Sequence, residues 1–315
     1  MRIPDSHFTA VTNAFRRGRL IAFLGAGVNL CDRPDSVSWN SRTRNCLPNG
    51  SELAEYIREE FGCDCSAADL ARVSQYVAVT EGPGPLYGQL HGIFDHDYEP
   101  TSIHRLLASL PAALRQKGYP SSQLIVTTNY DDVLERAFAA AGESIDVVTY
   151  VADPPHQRGK FLHIKPGEKP FLIDVPNQYR DLALGERSTV LKIHGTVVRN
   201  TATADDDSYV ITEDHYIDYL ARTDLAKLIP TAIVSQFSRS NFLFLGYGLR
   251  DWNLRVILNR IWGEQKLAYA SWAIQLHPDD LDRRFWMRRG VEILEAGLSE
   301  YGGALKERIE TLAPA

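Results

Sequence analysis

Two apolar stretches of the sequence run directly into polar residues whose types suit chemistry at that point. Leu-Ile-Val at residues 124–126 is followed by Thr-Thr-Asn-Tyr-Asp at residues 127–131. An asparagine at the tip of a strand can donate and accept hydrogen bonds at once, which suits holding a sugar hydroxyl group or a water molecule. Asn129 is therefore a candidate binding residue. The role of Asp131 stays open between orienting Asn129 and capping the following helix.

The second such stretch is Ser-Thr-Val-Leu-Lys-Ile-His-Gly at residues 188–195, which places His194 at the end of an apolar run. Histidine is the side chain whose pKa suits a general base near neutral pH. His104, in contrast, lies within an apolar helical pattern and is interpreted as a core residue. His194 is a candidate general base, with a purely structural role as the alternative.

Glycine pairs follow two further apolar runs. Gly25-Ala26-Gly27 follows residues 21–24, and Gly246-Tyr247-Gly248 follows residues 242–245. Glycines at such positions let the backbone turn tightly and approach a pyrophosphate or a ribose. The dinucleotide fingerprint requires a third glycine where this chain has Leu30, so a tight structural turn explains the first pair equally well. Asp251 is expected to cap the next helix with or without a ligand.

The elements that would position these residues alternate between strands and helices. This alternation predicts an α/β fold with a doubly wound, mostly parallel, Rossmann-like sheet, whose ligands bind outside the carboxyl ends of the strands. All of the polar and glycine-rich stretches are then expected to meet at one rim. The strands are predicted at residues 19–24, 123–127, 146–151, 160–164, 171–174, 189–193, 209–212, 242–245, 271–275 and 291–294.

Helical patterns dominate the sequence between the first two predicted strands. We expect a single domain over residues 1–315, with residues 51–118 forming a helical subdomain inserted within it. The segment 154–186 is rich in proline, glycine and charge, which predicts irregular excursions over one edge of the sheet.

Composition excludes several classes of protein. Apolar residues make up 44% and charged residues 23% of the chain, as in a soluble globular protein rather than a disordered one. A net charge of -6 disfavours nucleic-acid binding, which needs a basic surface. The first 19 residues lack the apolar core of a secretion signal, and no apolar run is long enough for a membrane span, so a cytoplasmic location is expected.

The four cysteines, at positions 31, 46, 63 and 65, lie in the first quarter of the chain. Only Cys63 and Cys65 are close, and one intervening residue is too few for a zinc ribbon. We expect free thiols and no structural metal.

Taken together and in this order, four stretches resemble motifs of the sirtuin superfamily over roughly residues 19–260. The dinucleotide loop of the family is similar to residues 23–29, Phe-Leu-Gly-Ala-Gly-Val-Asn, and its Thr-Gln-Asn-Ile-Asp motif is similar to residues 127–131, Thr-Thr-Asn-Tyr-Asp. The strand that ends in the catalytic His-Gly of the family is similar to residues 192–195, Lys-Ile-His-Gly. Its later glycine-rich loop is similar to residues 244–251, Phe-Leu-Gly-Tyr-Gly-Leu-Arg-Asp.

The chain also departs from the protein deacylases of that family. They carry a zinc module with four cysteines after the His-Gly, and this chain has no cysteine after Cys65. Tyr130 stands where deacylases usually have isoleucine. Their Gly-Ile-Pro-x-Phe-Arg stretch is replaced in this chain by residues 29–39, Asn-Leu-Cys-Asp-Arg-Pro-Asp-Ser-Val-Ser-Trp. With the acidic and aromatic stretch 210–220, these features resemble the bacterial branch of NAD-consuming effectors of anti-phage defence.

The resemblance implies NAD as the substrate, with its nicotinamide–ribose bond hydrolysed to nicotinamide and ADP-ribose, and no metal cofactor. By the same pattern, Asn129 positions the ribose or the attacking water, His194 accepts a proton, and Asp131 lines the nicotinamide-ribose pocket. The remaining NAD-binding residues implied are Gly25, Ala26 and Gly27 at the pyrophosphate, Gly246 and Tyr247 on the adenosine side, and Asn29, Thr128 and Asp251.

Two other functions stay open, namely an NAD-dependent protein deacylase and a sensor that binds NAD or ADP-ribose without turnover. An effector of the defence type must stay silent until infection, and the residues after about position 265 are too few for a usual second domain. We therefore expect control by homo-oligomerisation or by a separately encoded subunit, of the ATPase or Argonaute-like kind by analogy.

Overall fold

A computed structural model describes residues 3–64, 69–154, 156–221, 228–248, 258 and 269–315. In chain order these residues form α1 (Asp5–Arg16), β1 (Leu20–Leu24), a 3₁₀-helix (Ala26–Leu30), α2 (Gly50–Glu60), α3 (Leu70–Thr80), α4 (Pro83–Phe94), α5 (Ser102–Gln116), β2 (Leu124–Thr127), α6 (Val133–Ala140), β3 (Ile145–Tyr150), β4 (Phe161–Ile164), β5 (Phe171–Ile173), β6 (Ser188–Lys192), β7 (Gly195–Thr196), β8 (Ser208–Tyr209), α7 (Glu213–Ala221), α8 (Thr231–Phe237), β9 (Asn241–Leu245), β10 (Ser271–Gln275), α9 (Asp280–Met287), β11 (Val291–Glu295) and α10 (Leu298–Glu310).

Within the described residues, nine of the eleven strands form one sheet in the order β11-β10-β9-β1-β2-β6-β3-β4-β5, and β7 and β8 form a separate antiparallel pair. The strands from β11 to β3 are parallel to their neighbours, and β4 and β5 add an antiparallel edge. From β1 the chain first builds the sheet in one direction through β2, and it later returns to place β9 on the other side of β1. The order therefore reverses between β1 and β9, and the crevice outside the carboxyl ends of these two strands is the expected ligand site.

The predicted α/β, doubly wound, mostly parallel sheet is confirmed. Its strands are apolar because both faces are covered: alternate residues of β1 contribute to two separate hydrophobic clusters. Helices α1, α5, α6 and α10 supply one cluster, whereas α7, α8 and α9 supply the other. The segment 154–186 contributes β4 and β5, close to the strands predicted at residues 160–164 and 171–174, and these strands extend one edge of the sheet.

Helices α2, α3 and α4 contribute to a third hydrophobic cluster. Helix α5, although it follows them directly, packs with the sheet cluster through residues such as Ile103 and Leu107. The expectation of a separate subdomain over residues 51–118 stays a prediction.

The thiols of Cys31 and Cys46 are free, as expected, but the expectation is wrong for Cys63, which is disulfide-bonded.

In the part of the chain that the structure describes, no helix is both long and apolar enough to cross a bilayer.

Candidate active site

The loops after β1 and β9 pack backbone against backbone at the point where the strand order reverses. The amide of Gly25 donates to the carbonyl oxygen of Leu245 at 3.0 Å, and the amide of Gly27 donates to that of Gly246 at 2.9 Å. A Cβ atom on Gly27 would lie 2.7 Å from the Gly246 oxygen, and one on Gly25 would lie 2.6 Å from the same atom. Close packing of the two loops is therefore what requires these glycines, in addition to any contact with a ligand.

A cavity of about 360 Å³ opens beside these loops, over the carboxyl ends of β1, β2, β6 and β9. All of the predicted site residues except Asp251 line it, although they come from four separate stretches of the chain. The lining residues are Gly25, Ala26, Gly27, Asn29, Leu30, Pro48, Asn49, Gly50, Leu53, Leu70, Phe94, Thr128, Asn129, Tyr130, Asp131, His194, Tyr216, Gly246, Tyr247 and Gly248. Asp251 lies outside the described residues.

His194 follows the end of β6 and lies in the wall of this cavity with only 4% of its surface exposed. Burial lowers the pKa of its imidazole from 6.5 to about 4, so the ring is neutral at pH 7. The rings of Tyr216 and Tyr219 on α7 meet it edge to face at 5.7 and 6.1 Å between centroids. Among the described residues Nε2 of His194 has no hydrogen-bond partner. The ring is thus a neutral proton acceptor that is not held by a structural bond at Nε2.

Asn129 is fixed by the loops on either side of it. Its backbone amide donates to Oγ1 of Thr127 at 3.0 Å, and its Nδ2 donates to the carbonyl oxygen of Gly25 at 3.4 Å. The neighbouring Thr128 amide donates to the carbonyl oxygen of Leu24 at 3.3 Å. The turn after β2 is therefore bonded to the turn after β1, which sets Asn129 in the cavity wall.

Both carboxylate oxygens of Asp131 accept hydrogen bonds from neighbouring elements. Its Oδ1 accepts at 3.1 Å from the amide of Val133, the first residue of α6, whereas Asp132 at the N-cap position makes no side-chain cap bond. Its Oδ2 accepts from Nδ2 of Asn29 at 2.9 Å, so the carboxylate orients Asn29 and has no bond to Asn129 in the described structure. A carboxylate only accepts, which assigns the amide nitrogen of Asn29 to this bond. The carbonyl oxygen of Asn29 is left buried and without a partner among the described residues.

Several cavity residues were not predicted from the sequence. Tyr216 comes from the acidic and aromatic stretch 210–220, where tyrosines at positions 216 and 219 are spaced to share one face of a helix. Asn49 is the residue before α2 and accepts from the amide of Glu52, so its helix cap also forms part of the wall. Leu53, Leu70 and Phe94 are apolar residues of helices α2 to α4, and no sequence signal separates them from ordinary core residues.

A second cavity, of about 540 Å³, shares Gly27, Leu30 and the Gly246–Gly248 loop with the first. It continues across the ends of β10 and β11, where Gln275, His277 and Ser299 are among its lining residues. Both volumes fall within the range of about 300–1,000 Å³ that is usual for small-molecule sites. The two cavities together form an elongated groove along the switch point.

The described residues contain no group of three or more histidine, cysteine, aspartate or glutamate side chains that could hold a metal ion. The polar side chains of the first cavity include the neutral imidazole of His194, the carboxamides of Asn29 and Asn129 and the carboxylate of Asp131.

The fold and this groove define an α/β protein with cavities of small-molecule size at a sheet switch point, and comparison with known families assigns it more closely. The family model described as "SIR2-like domain" matches residues 123–294, which is more than half of the chain. The chain belongs to the SIR2-like family.

Curated relatives share modest identity with the chain. Defense-associated sirtuin 2 of Bacillus subtilis is 24% identical over 292 residues, covering 91% of this chain and 24% of that protein. The NAD(+) hydrolase ThsA of Acinetobacter baumannii (strain 532279) is 28% identical over 215 residues, covering 68% of this chain and 36% of that protein. The NAD(+) hydrolase ThsA of Bacillus cereus (strain MSX-D12) is 25% identical over 291 residues, covering 89% and 48%. The chain thus spans less than half of each of these relatives.

Proposed function

We propose that the chain is an NAD⁺ glycohydrolase that cleaves the nicotinamide–ribose bond to give nicotinamide and ADP-ribose. The observation that carries the proposal is that the neutral imidazole of His194 shares one cavity with the carboxamides of Asn129 and Asn29. Two of the relatives are named NAD(+) hydrolases, which supports the same reaction.

The substrate would lie along the groove with its reacting end in the first cavity. The nicotinamide ribose lies beside His194 and Asn129, the pyrophosphate lies beside the Gly25–Gly27 turn, and the adenosine extends past Gly246 and Tyr247 into the second cavity. The amides of Gly25 and Gly27 already donate to the carbonyl oxygens of Leu245 and Gly246. Ala26 is therefore the residue of the turn best placed to donate to a phosphate.

Cleavage builds positive charge on C1′ of the ribose as the bond to the nicotinamide nitrogen breaks. The electron pair of that bond neutralises the pyridinium, and nicotinamide leaves. Asn129 and Asn29 hold the ribose or the attacking water, whose oxygen bonds to C1′ in place of the nicotinamide nitrogen. His194 accepts the proton that the water, or a ribose hydroxyl acting with it, releases. Positioned general-base assistance of this kind contributes about 10²–10⁴-fold to the rate.

Asp131 contributes through Asn29. As its two oxygens are occupied by the amide of Val133 and by Nδ2 of Asn29, it acts as a positioning residue that fixes the carboxamide of Asn29 in the cavity wall. Its charge also lies on the side of the site where positive charge develops, which favours the transition state.

The biological role proposed is depletion of NAD during anti-phage defence, in the cytoplasm. Such an activity must be held silent before infection, which we assign to assembly of copies of this chain or to a separately encoded subunit. Light scattering coupled to gel filtration, with NAD cleavage measured in each fraction, tests this part: a monomer that is fully active on purification would contradict it.

The reaction itself is tested by incubating the purified protein with NAD⁺, with and without an acetyl-lysine peptide, and separating the products by chromatography. The proposal predicts equal amounts of nicotinamide and ADP-ribose without the peptide. Cleavage that requires the peptide and yields an acetylated ADP-ribose would instead identify a deacylase. NAD⁺ that binds and is recovered unchanged from every assembly separated by gel filtration would favour a sensor over an enzyme that is switched on by its own assembly.

A further inference from the structure

A completely buried lysine ends the strand that leads to His194. Lys192 is the last residue of β6, two positions before His194, and it is 0% exposed. It lines neither cavity of the groove, so it would not touch a substrate there. A buried ammonium group is costly unless charged and polar partners compensate it, so its partners indicate what it does.

The ammonium of Lys192 joins two elements that carry site residues. Its Nζ donates to the backbone carbonyl oxygen of Asp131 and, at 2.8 Å, to Oε1 of Glu135 on α6. Lys192 pairs with Thr127 in the parallel register of β2 and β6, so the side chain spans from one strand end to the turn that follows the other.

The bond to Asp131 fixes a peptide group whose side chain acts inside the cavity. The carbonyl oxygen of Asp131 accepts from Lys192, and its Oδ1 accepts from the amide of Val133. These two bonds orient the carboxylate so that its Oδ2 accepts from Nδ2 of Asn29. Glu135 supplies the negative charge that the buried ammonium requires, and its side chain is 19% exposed.

We propose that Lys192, neutralised by Glu135, is a positioning residue for the reaction, which sets the carboxamide of Asn29 through Asp131. The inference rests on the proposed NAD⁺ cleavage and adds to it a residue outside the cavities. Lys192 begins the motif stretch Lys-Ile-His-Gly and Glu135 lies four positions after the end of Thr-Thr-Asn-Tyr-Asp, and the sequence alone assigns neither residue a role.

The competing explanation is that the pair only stabilises the fold. Two variants separate the explanations. Lys192→Met removes the charge at similar length and leaves Glu135 unpaired, whereas Lys192→Met with Glu135→Leu removes both charges. Breaking a buried pair is destabilising, but replacing both members by apolar residues of similar volume is often tolerated.

The melting temperature should fall in the single variant and recover in the double variant. In both variants kcat for NAD⁺ cleavage should stay about 100-fold below wild type, because a small displacement in a catalytic site costs about that much. KM should change by no more than about threefold, since Lys192 lies outside the groove. Recovery of kcat together with the melting temperature would overturn the proposal.

Arg187 provides a matched control directly before the same strand, at the end of β6 opposite to the cavity. Its Nη2 lies 3.0 Å from Oδ1 of the fully buried Asp146. Arg187→Met should lower the melting temperature and leave kcat within about threefold of wild type. An equal loss of kcat in this control would show that any destabilisation of β6 impairs turnover, which would also overturn the proposal.

A measurement that needs no turnover separates this proposal from the proposed function. In protein labelled with ¹⁵N at asparagine, the side-chain amide signals of Asn29, assigned by their loss in Asn29→Ser, report its bond to Asp131. They should shift in the Lys192→Met and Glu135→Leu double variant and stay in place in Arg187→Met. Unshifted Asn29 signals would reject the role of Lys192, whereas absence of NAD⁺ cleavage by wild-type protein would reject only the proposed reaction.

Discussion

At the scale of single residues, the burial of His194 determines the pH at which it can work. The pKa of about 4 means that the imidazole stays a neutral acceptor down to that pH, rather than only above its ordinary value of 6.5. We therefore expect kcat/KM for NAD⁺ to be nearly constant from pH 8 to about pH 5 and to fall as the pH approaches 4. Initial rates across this range, with circular dichroism to verify folding at each pH, check this. A half-maximal rate near pH 6.5 would contradict it.

The bond between Asn29 and Asp131 gives a second prediction at this scale. Asp131→Asn replaces the charged acceptor with a neutral carboxamide that has one oxygen, so it cannot accept from both Val133 and Asn29, and the charge-assisted bond to Asn29 is lost. Unfolding free energy should fall by about 1.5–3 kcal/mol, the usual contribution of a hydrogen bond to a charged group. The exchange variant Asn29→Asp with Asp131→Asn restores a donor and an acceptor, and part of the stability should return. Urea titrations measure both, and equal stability of the two variants would contradict the bond.

These residues also show how far the sequence predicts the site. Asn129 and His194 could be selected because each follows an apolar run, and the ends of neighbouring parallel strands meet at one rim. The pairing of Asn29 with Asp131 could not be predicted, because the partners are 102 positions apart and only the fold brings their side chains together. The sequence left the role of Asp131 open between orienting Asn129 and capping α6. In the structure its carboxylate accepts from the first amide of α6 and from the side chain of Asn29.

At the scale of elements, the packed loops after β1 and β9 predict the effect of enlarging their glycines. In Gly27→Ala the new Cβ would lie 2.7 Å from the Gly246 oxygen and 2.8 Å from its Cα, and backbone atoms cannot move aside as a side chain can. We expect a loss of about 1–3 kcal/mol in unfolding free energy, as for other overpacked positions.

Gly248 is the matched control because it lines the same groove and a Cβ there would meet no atom within 4 Å. Gly248→Ala should leave the unfolding free energy within about 0.5 kcal/mol of wild type. Equal stability of the two alanine variants in urea titration would contradict the packing role. Loss of NAD⁺ binding in Gly27→Ala alone would not establish a phosphate contact, since the loops are expected to separate.

The elements differ in how well the sequence predicts them. The buried parallel strands were found because they are short apolar runs that end in glycine or polar residues. Helix α4 lies within the predicted helical stretch 51–118, but its own bounds carry no clear sequence signal, because Pro83, Gly84, Gly88 and Gly92 lower helix propensity. A proline at the first helical position is nevertheless tolerated, and burial of residues such as Leu86 and Leu90 outweighs the glycines.

At the scale of the whole molecule, the buried histidines predict how stability depends on pH. Burial lowers the pKa of His7, His104 and His194 to about 4 each. Between pH 6.5 and 4 the unfolded chain takes up protons at these positions and the folded chain does not. Stability should therefore fall as the pH falls through this window, by at most about 1.4 kcal/mol per pH unit for each histidine. Burial raises the pKa of Glu135, which acts in the opposite direction.

Urea unfolding at half-unit steps from pH 7.5 to 4.5 measures this dependence. The midpoint should be level above pH 6.5 and should decline below it, and the decline should be shallower in His7→Asn. A midpoint that stays constant down to pH 4.5 would contradict the buried, neutral state of these side chains.

The central claim is that His194 accepts a proton during NAD⁺ cleavage, and one comparison tests it most directly. Nicotinamide release and NAD⁺ affinity would be measured at pH 7 for wild type, His194→Ala and His7→Asn. His7 is a suitable control because it is also buried with a lowered pKa, yet it contacts Tyr301 and Trp272 and lines neither cavity. We predict that only His194→Ala loses turnover, by about 10²–10⁴-fold, while it retains NAD⁺ affinity. Turnover of His194→Ala at the rate of wild type would contradict the account.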